Sequence, residues 1–406
     1  MTVLVFEDAR HRVEEHARKV RVSATERVPL LEVTGRVLAR DIRCDRDLPP
    51  FPRATRDGFA VRAEYLNEIS SRLKVVAEIR AGQDVSGTFV GCGQAAEIMT
   101  GAAVPEDSNA VVMVEHTVRQ GEYVQIERTP APGDNVVPRG AEARAGDVLL
   151  QAGARLTPAA VAMAASVGLA EIEVYRKPRV AILATGDELV DVAAQPLAHQ
   201  IRNSNTYSLA AQVTRAGGVP VPLAVAPDEE SALRRLIEQG LECDLLLLSG
   251  GVSMGKYDLV EKVLAELGAE FLFTGVAIQP GKPTVFGRLE WKGKTKYFFG
   301  LPGNPVSTMV TFELFARPMI EGLSGTQPTP LRYSKARLRA EIKTKTGLTR
   351  FLPALLSGEF GNVEVELVRW QGSGDMVATA RANCLAVIPP DRERIEAGET
   401  ISILSI

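Results

Sequence analysis

The sequence is poor in the residues that build metal centres and disulfide frameworks. It has four cysteines and four histidines in 406 residues. The cysteines, Cys44, Cys92, Cys243 and Cys384, lie far apart and form no CxxC pair, so we expect free thiols in a reducing compartment. No HExxH motif or Cys/His cluster is present, which argues against a zinc site of the usual kind.

Long apolar runs are also missing. No segment reaches membrane-spanning length, and the first residues are charged and amphipathic, unlike the apolar core of a signal peptide. We therefore expect a soluble cytoplasmic protein without a membrane partner. The net charge is −3, from 47 basic and 50 acidic residues. This balance argues against a nucleic-acid-coating protein, although it does not exclude a local basic pocket.

The chain does have ample core material, with 45% hydrophobic residues, and its length predicts several domains. Residues 1–176 mix one short N-terminal helix with short strand-like runs that glycine and proline interrupt, which predicts an irregular β-rich region. Strands are predicted at 74–79, 110–114 and 123–126, and a helix at 157–168.

Residues 177–326 alternate apolar strands with helical runs, which predicts βαβ units and a parallel-rich sheet. The predicted strands are 179–184, 244–248 and 297–299, and the predicted helices are 208–216, 229–239, 259–267 and 306–320. A linker-like stretch, 322–330, precedes a return to strands in residues 327–406, at 337–343, 363–368 and 401–404. The expected fold is a multidomain α/β plus β protein.

Three glycine-rich turns follow apolar strands of the middle region. They contain Thr185-Gly186 with Asp187 and Glu188, then Ser249-Gly250-Gly251 with Ser253, and Pro302-Gly303-Asn304-Pro305 with Ser307. At the carboxyl edge of a parallel sheet, such turns let backbone N–H groups approach an anion. One such turn is often purely structural, but three in one region predict a ligand site.

Other polar residues near these turns have two interpretations each. Lys282 stands between two prolines, so it either holds an oxyanion or is solvated on a surface turn. Asn203, Ser204 and Asn205 precede a helix, where one caps the helix or several contact a heterocycle. Ser307 is either a first-turn helix residue or an oxyanion donor.

The carboxylates allow a magnesium site. Asp228 opens a predicted helix and is either its N-cap or a hard oxygen ligand. Together with Asp187, Glu188 and Asp258 it could bind Mg²⁺, which also takes phosphate oxygens and water.

Read together, these segments resemble the molybdopterin molybdenumtransferase family, the bacterial MoeA proteins and the C-terminal domain of gephyrin. The middle region carries TGDEL (185–189), IRNSN (201–205), SGGVSMG (249–255), PGKP (280–283) and LPGNPVS (301–307). The flanking regions carry TGRVLARDI (34–42), DGFAVR (57–62), IMTGAAVP (98–105) and ARAN (380–383). The matching segments span nearly the whole chain and follow one another in the same order as in the family.

The resemblance implies an N-terminal β region with an inserted subdomain at about 46–145, a three-layer α/β pterin-binding domain and a small C-terminal β-barrel-like domain. It also implies a homodimer whose cleft joins the α/β domain of one subunit to the N-terminal region of the other. Asp57, Thr100 and the loop from Arg139 to Glu142 would then face the partner's pterin site. Glu142 stands where the family commonly has aspartate.

The implied activity inserts molybdenum from molybdate into adenylylated molybdopterin and releases AMP, with Mg²⁺ as cofactor. The resemblance gives catalytic roles to Asp57, Thr100, Glu188, Asp228 and Asp258, the last three as metal ligands. Pterin and phosphate would contact the three turns, the 203–205 segment, Lys282, Pro283, Ser307, Arg139 and Glu142. Molybdopterin adenylyltransferase and acceptor molybdoenzymes are the implied partners. The alternatives are a molybdopterin adenylyltransferase, or a non-catalytic molybdopterin carrier or scaffold.

Overall fold

The computed structural model of the chain describes residues 3–22, 24–66, 71–251 and 259–406. In the N-terminal part, the described α-helices are α1 (Phe6–Lys19) and α2 (Pro158–Ser166), and short 3-10 helices lie at Leu30–Glu32, Ala63–Tyr65 and Val114–His116. The strands are β1 (Val3–Leu4), β2 (Thr25–Pro29), β3 (Ile42–Arg43), β4 (Arg53–Ala54), β5 (Gly58–Val61), β6 (Arg72–Ile79), β7 (Gln94–Ile98), β8 (Ala110–Met113), β9 (Thr117–Gln120), β10 (Tyr123–Ile126), β11 (Val136–Val137), β12 (Val148–Leu150) and β13 (Glu171–Tyr175).

A six-stranded sheet in the order β8-β5-β7-β6-β10-β9 forms the centre of this part, inside the region predicted as an insertion. Its two faces are covered by separate apolar clusters, one around Phe59 and Val124 and one around Ile79 and Ile98. Short two-stranded pairs surround it, which explains the irregular sequence texture. The predicted helix at 157–168 is confirmed as α2, whose first turn contains Pro158 and is capped by the Thr157 hydroxyl.

The middle part contains helices α3 (Asn205–Arg215), α4 (Glu230–Gly240), α5 (Leu259–Glu266), α6 (Pro305–Thr311) and α7 (Arg317–Leu323). Its strands are β14 (Arg179–Ala184), β15 (Leu189–Val190), β16 (Ile201–Arg202), β17 (Val219–Pro222), β18 (Leu245–Ser249), β19 (Glu270–Phe273), β20 (Gly275–Val276), β21 (Ile278–Gln279), β22 (Val285–Trp291) and β23 (Lys294–Leu301). The main sheet has the order β17-β14-β18-β23-β22-β19.

The first four strands of this sheet are parallel, and β22 and β19 continue it in the antiparallel sense. One face packs against α3, α6 and α7, and the other packs against α4 and α5. Strand β18 is buried along its whole length because both faces are covered, so its sequence is an unbroken apolar run. This arrangement confirms the predicted three-layer, parallel-rich domain.

Helix α1 belongs to this packing although it lies near the start of the chain. Its buried residues Phe6, Ala9, Val13 and Ala17 join the apolar cluster on the α3 side of the sheet. Strand β1 also pairs in parallel with β20. The predicted domain boundaries after residues 176 and 326 stay a prediction. Helix α1 precedes the first boundary in the sequence, but it packs against the sheet of the middle domain.

The C-terminal part contains α8 (Met376–Arg381) and strands β24 (Tyr333–Leu338), β25 (Ile342–Lys343), β26 (Thr349–Ser357), β27 (Glu364–Leu367), β28 (Cys384–Ile388), β29 (Arg394–Ile395) and β30 (Thr400–Ser405). Strands β26, β27, β24, β30 and β28 form a closed ring because β28 also pairs with β26. The predicted strand at 337–343 is wrong, since β24 ends at Leu338 and β25 is a separate short strand. None of the helices within the described ranges is long and apolar enough to span a membrane.

Candidate substrate cleft

The three glycine-rich turns meet in one cleft at the carboxyl edge of the main sheet. Strands β14, β18 and β23 are parallel neighbours, and their last residues Ala184, Ser249 and Leu301 pair in register. The turns that follow therefore begin at the same level. Together they line a cleft of about 800 Å³.

Backbone contacts hold the turns against one another. The Thr185 N–H donates to the Ser249 carbonyl at 3.1 Å, and the Gly250 N–H donates to the Leu301 carbonyl at 3.2 Å. Gly250 has a φ of +89°, and a Cβ there would lie 2.8 Å from the Thr185 carbonyl oxygen. Only glycine combines this backbone conformation with so close an approach.

Asn205 ties the second and third turns together. Its Nδ2 donates to the Ser249 Oγ at 2.8 Å and to the Gly303 carbonyl at 2.7 Å. Its Oδ1 and the Thr185 Oγ1 are buried without a hydrogen-bond partner among the described residues. Both residues line the cleft, and buried polar atoms of this kind need a ligand or water to satisfy them.

The neighbouring asparagine has a structural role. The Thr206 N–H donates to the Asn203 Oδ1 at 3.2 Å, and the Asn203 Nδ2 donates to the Thr206 Oγ1 at 2.9 Å. Asn203 therefore accepts a hydrogen bond from a backbone N–H of the first turn of α3, and it also lines the cleft next to Ser204. Of the two interpretations of this segment, capping fits Asn203 and ligand contact fits Asn205.

Glu188, in the first turn, and Asp228 are the two acidic residues that line the cleft. The Asp228 N–H donates to the Asp187 Oδ1 at 3.1 Å, so the three carboxylates are neighbours. Desolvation, followed by repulsion from Asp187 and then Glu188, raises the pKa of Asp228. Gly186 leaves room for the Glu188 carboxylate, with which any added Cβ would collide.

The third turn connects the cleft to the C-terminal domain. Pro302, Gly303, Asn304 and Pro305 all line the cleft. The Asn304 Nδ2 donates to the Ser373 Oγ at 3.0 Å, and the Val306 N–H donates to the Ser373 carbonyl at 3.0 Å. Ser373 was not predictable from the sequence, because only the folded C-terminal domain brings its loop to this turn.

Three predicted contacts, Asp187, Lys282 and Ser307, are not among the residues that line the cleft. Ser307 is buried in α6, where its carbonyl accepts the Thr311 hydroxyl at 2.8 Å, and it is not among the lining residues. Lys282 is exposed beside Pro283, which does line the cleft. The Val276 N–H donates to the Lys282 carbonyl at 2.9 Å, so the backbone of Lys282 is held in place. Ser253 and Asp258 lie outside the described residues.

The predicted N-terminal site residues do not line this cleft within one chain. The Asp57 Oδ1 accepts the Thr100 N–H at 2.6 Å and the Thr100 hydroxyl at 2.7 Å, and these bonds lower the pKa of Asp57. Arg139 pairs with Asp47 at 2.8 Å, and Glu142 pairs with Arg53 at 3.2 Å. All four predicted residues, Asp57, Thr100, Arg139 and Glu142, are exposed on the N-terminal part.

Comparison with known proteins agrees with this arrangement. The MoeA N-terminal region model (domain I and II) matches residues 4–168, the model described as "Probable molybdopterin binding domain" matches 181–322, and the MoeA C-terminal region model (domain IV) matches 335–406. A molybdopterin molybdenumtransferase from Haemophilus influenzae is 35% identical over 93% of this chain and 93% of its own. One from Bacillus subtilis is 35% identical over 97% and 94%, respectively. The chain belongs to the MoeA family.

Solved MoeA structures share the whole architecture. A molybdopterin biosynthesis MoeA protein from Pyrococcus horikoshii OT3 is 30% identical, covers all of both chains and superposes with a TM-score of 0.81. A second P. horikoshii MoeA structure is 33% identical, covers 100% of this chain and 99% of its own, and has a TM-score of 0.75. The predicted family and its α/β plus β fold are confirmed.

Proposed function

We propose that this MoeA protein is a molybdopterin molybdenumtransferase, which inserts molybdenum from molybdate into adenylylated molybdopterin and releases AMP. The observation that carries this proposal is the meeting of three glycine turns in one cleft, with Asn205 joining two of them. A substrate with two linked phosphates needs several backbone donors at one place, and this edge of the sheet supplies them. Family membership and the relatives' names support the same activity.

Mg²⁺ fits the acidic side of the cleft. Within the described ranges, no three His, Cys, Asp or Glu side chains are arranged as a metal site. Mg²⁺ commonly uses only one or two protein carboxylates and completes its coordination with phosphate oxygens and water. Glu188 and Asp228 provide such a pair, and we propose Asp258 as a third ligand. When bound, the ion would neutralise charge on the phosphates.

The protein's own groups would act by binding and positioning. The backbone of the turns at Gly250 and Gly303 lines the cleft, and N–H groups of these turns other than that of Gly250, which donates to Leu301, would contact the phosphates. Thr185 and Asn205 each present a buried polar atom that a substrate group can satisfy. No cleft residue resembles an activated covalent nucleophile, so we propose that orientation and electrostatic stabilisation carry the rate.

We also propose that a second copy of the chain completes the site. Asp57, Thr100, Arg139 and Glu142 are exposed and do not line the cleft of their own chain, so a homodimer could place them at the partner's cleft. The free cysteines suit a reducing cytoplasm, which is the proposed location. The proposed partners upstream and downstream are a molybdopterin adenylyltransferase and acceptor molybdoenzymes.

The test incubates purified protein with adenylylated molybdopterin, Mg²⁺ and molybdate, and measures AMP and active molybdenum cofactor. We expect both products, and we expect neither when the protein is omitted. Consumption of ATP by the protein with molybdopterin would instead indicate an adenylyltransferase. Tight binding of molybdopterin without AMP release would indicate a carrier or scaffold.

A further inference from the structure

A second cavity adjoins the substrate cleft. It has a volume of about 560 Å³ and lies between α3, α6 and α8, beside the C-terminal barrel. It shares Ser204 and Pro305 with the cleft, so one ligand can extend from the cleft into this groove. Its apolar lining consists mainly of Met309, Val310, Met376, Leu385 and Ile406.

One polar atom in the groove wall is left without a hydrogen bond in the part of the chain that the structure describes. The Gln212 Nε2 donates to the Met309 carbonyl and to the Glu313 Oε1, both at 3.0 Å. Because both of these partners are acceptors, they fix the orientation of the amide and leave Oε1 as the free acceptor. This Oε1 is buried without a hydrogen-bond partner among the described residues. It needs a donor from a ligand or from water.

Glu313 adds a second acceptor to the same wall. Its carboxylate is nearly buried, and it pairs with Arg215 and, at 3.5 Å, with Arg317. The Glu313 Oε1 accepts from Gln212 and Arg215, while its Oε2 faces Arg317 at 3.5 Å and can accept a further hydrogen bond. The wall therefore presents two neighbouring acceptors, the Gln212 Oε1 and the Glu313 Oε2.

Three other polar side chains of the groove, Asn383, Ser208 and Thr379, already have partners. Asn383 exchanges two hydrogen bonds with the backbone of Leu356 at 2.7 and 3.0 Å. The Ser208 hydroxyl donates to the Asn205 carbonyl at 3.1 Å, and the Thr379 hydroxyl donates to the Asp375 carbonyl at 3.2 Å. Arg215, which also lines the groove, donates to Glu313, so the Gln212 Oε1 stays without a donor among the described residues.

We propose that this groove binds the pterin ring of the substrate, with Gln212 and Glu313 accepting hydrogen bonds from the ring's amino group and adjacent N–H. The proposal rests on the proposed function, whose substrate carries a pterin and an adenine on opposite sides of two phosphates. The amino-oxo edge of a pterin presents two neighbouring donors, whereas adenine presents one amino group beside a ring acceptor. The thioethers of Met309 and Met376 suit the faces of a flat ring.

The experiment fills the groove. Ala380 is exposed and lines it, so Ala380→Trp should occupy the space of the ring. Ala211 is exposed on α3 and lines neither the groove nor the cleft, so Ala211→Trp is the matched control. Dissociation constants for molybdopterin are measured by pterin fluorescence and those for AMP by calorimetry. We expect Ala380→Trp to weaken molybdopterin binding by about tenfold or more, with AMP binding unchanged.

Gln212→Met is a second test variant, which is used if Ala380→Trp does not fold. It keeps the length of the side chain but removes the free acceptor, and about tenfold weaker molybdopterin binding is expected. The pterin assignment is overturned if AMP binding weakens instead, if neither affinity changes, or if the wild type fails to bind molybdopterin. AMP release by the wild type is assayed separately, so loss of the groove proposal and loss of the transferase proposal give different results.

Discussion

At the scale of single residues, Asn205 is the side chain on which the cleft most depends. It donates to the Ser249 Oγ and the Gly303 carbonyl, which belong to two different turns. Asn205→Ala should reduce the free energy of unfolding by about 1–2 kcal/mol and weaken binding of adenylylated molybdopterin by about tenfold or more. Urea unfolding and equilibrium binding measure the two effects.

Asn362→Ala is the matched control for this change. Asn362 is exposed in a turn of the C-terminal domain, outside the cleft lining. Its replacement should leave substrate affinity unchanged. If Asn205→Ala binds the substrate as tightly as Asn362→Ala does, the hydrogen bonds from Asn205 to the two turns are not needed for substrate binding.

Asp228 should give Mg²⁺ binding a pH dependence. Its raised pKa means that it takes up a proton at a higher pH than an isolated aspartate, and a protonated carboxyl is a poor metal ligand. The affinity for Mg²⁺ should therefore fall as the pH is lowered through the raised pKa. Calorimetric titrations at several pH values, with substrate present, measure this change.

Asp228→Asn should bind Mg²⁺ more weakly at neutral pH and show a flatter pH profile. A replacement at an exposed acidic residue outside the cleft, such as Asp391→Asn, should reproduce the wild-type profile. An identical profile in wild type and Asp228→Asn would remove Asp228 from the proposed metal site.

At the scale of elements, the turn after β18 requires glycine for two separable reasons. Gly250→Ala combines an unfavourable positive φ with a Cβ 2.8 Å from the Thr185 carbonyl oxygen, whereas Gly268→Ala has a similar φ of +83° and open space around its Cβ. We expect a loss of about 1 kcal/mol in unfolding free energy for Gly268→Ala, and a larger loss for Gly250→Ala.

Activity separates the two glycine variants further. Gly250→Ala should lose most AMP release because the turn must shift, while Gly268→Ala should keep it. Equal activity and equal stability in the two variants would contradict the argument that close packing of the turns shapes the cleft.

Much of the sheet was predictable because its strands are buried on both faces. The predicted strand at 179–184 coincides with β14, and the prediction at 244–248 is displaced from β18 by one residue. The predicted helix at 306–320 is helical throughout, but a π-helical segment over Phe312–Ala316 separates α6 from α7. Sequence periodicity does not resolve such a segment, since it shifts the helical register within a uniformly buried stretch.

A short helix and a β-hairpin escaped the prediction for different reasons. Helix α8 has only six residues and no clear apolar period, although Asp375, whose Oδ1 accepts the Ala378 N–H at 3.0 Å, was a usable capping signal. Strand β22 turns into β23 through Lys292 and Gly293, both at positive φ. Lys-Gly is a weaker turn signal than Asn-Gly, so the hairpin was not predicted.

At the scale of the whole molecule, the proposed site residues form two groups that one chain does not bring together. The glycine turns, which are local strand endings, were predictable from sequence, and the structure places them in one cleft. Asp57, Thr100, Arg139 and Glu142 do not line that cleft, and in the proposed homodimer their positions relative to it would depend on the assembly, which sequence spacing does not specify.

Mixing two inactive variants tests the shared site. Asp57→Ala and Asp228→Ala each remove one group, and unfolded and refolded together they should form mixed dimers with one intact cleft. Random assembly should restore about a quarter of the wild-type activity per total chain. Each variant refolded alone is the control, and no recovery in the mixture, despite dimer formation, would contradict a site built from two chains.

The most direct measurement of the central claim is a crystal structure of the protein with adenylylated molybdopterin bound. Our account predicts that the two phosphates lie against the turns at Gly250 and Gly303, within reach of the Asn205 and Thr185 side chains. Phosphates bound on another face of the molecule, with these turns left untouched, would contradict it.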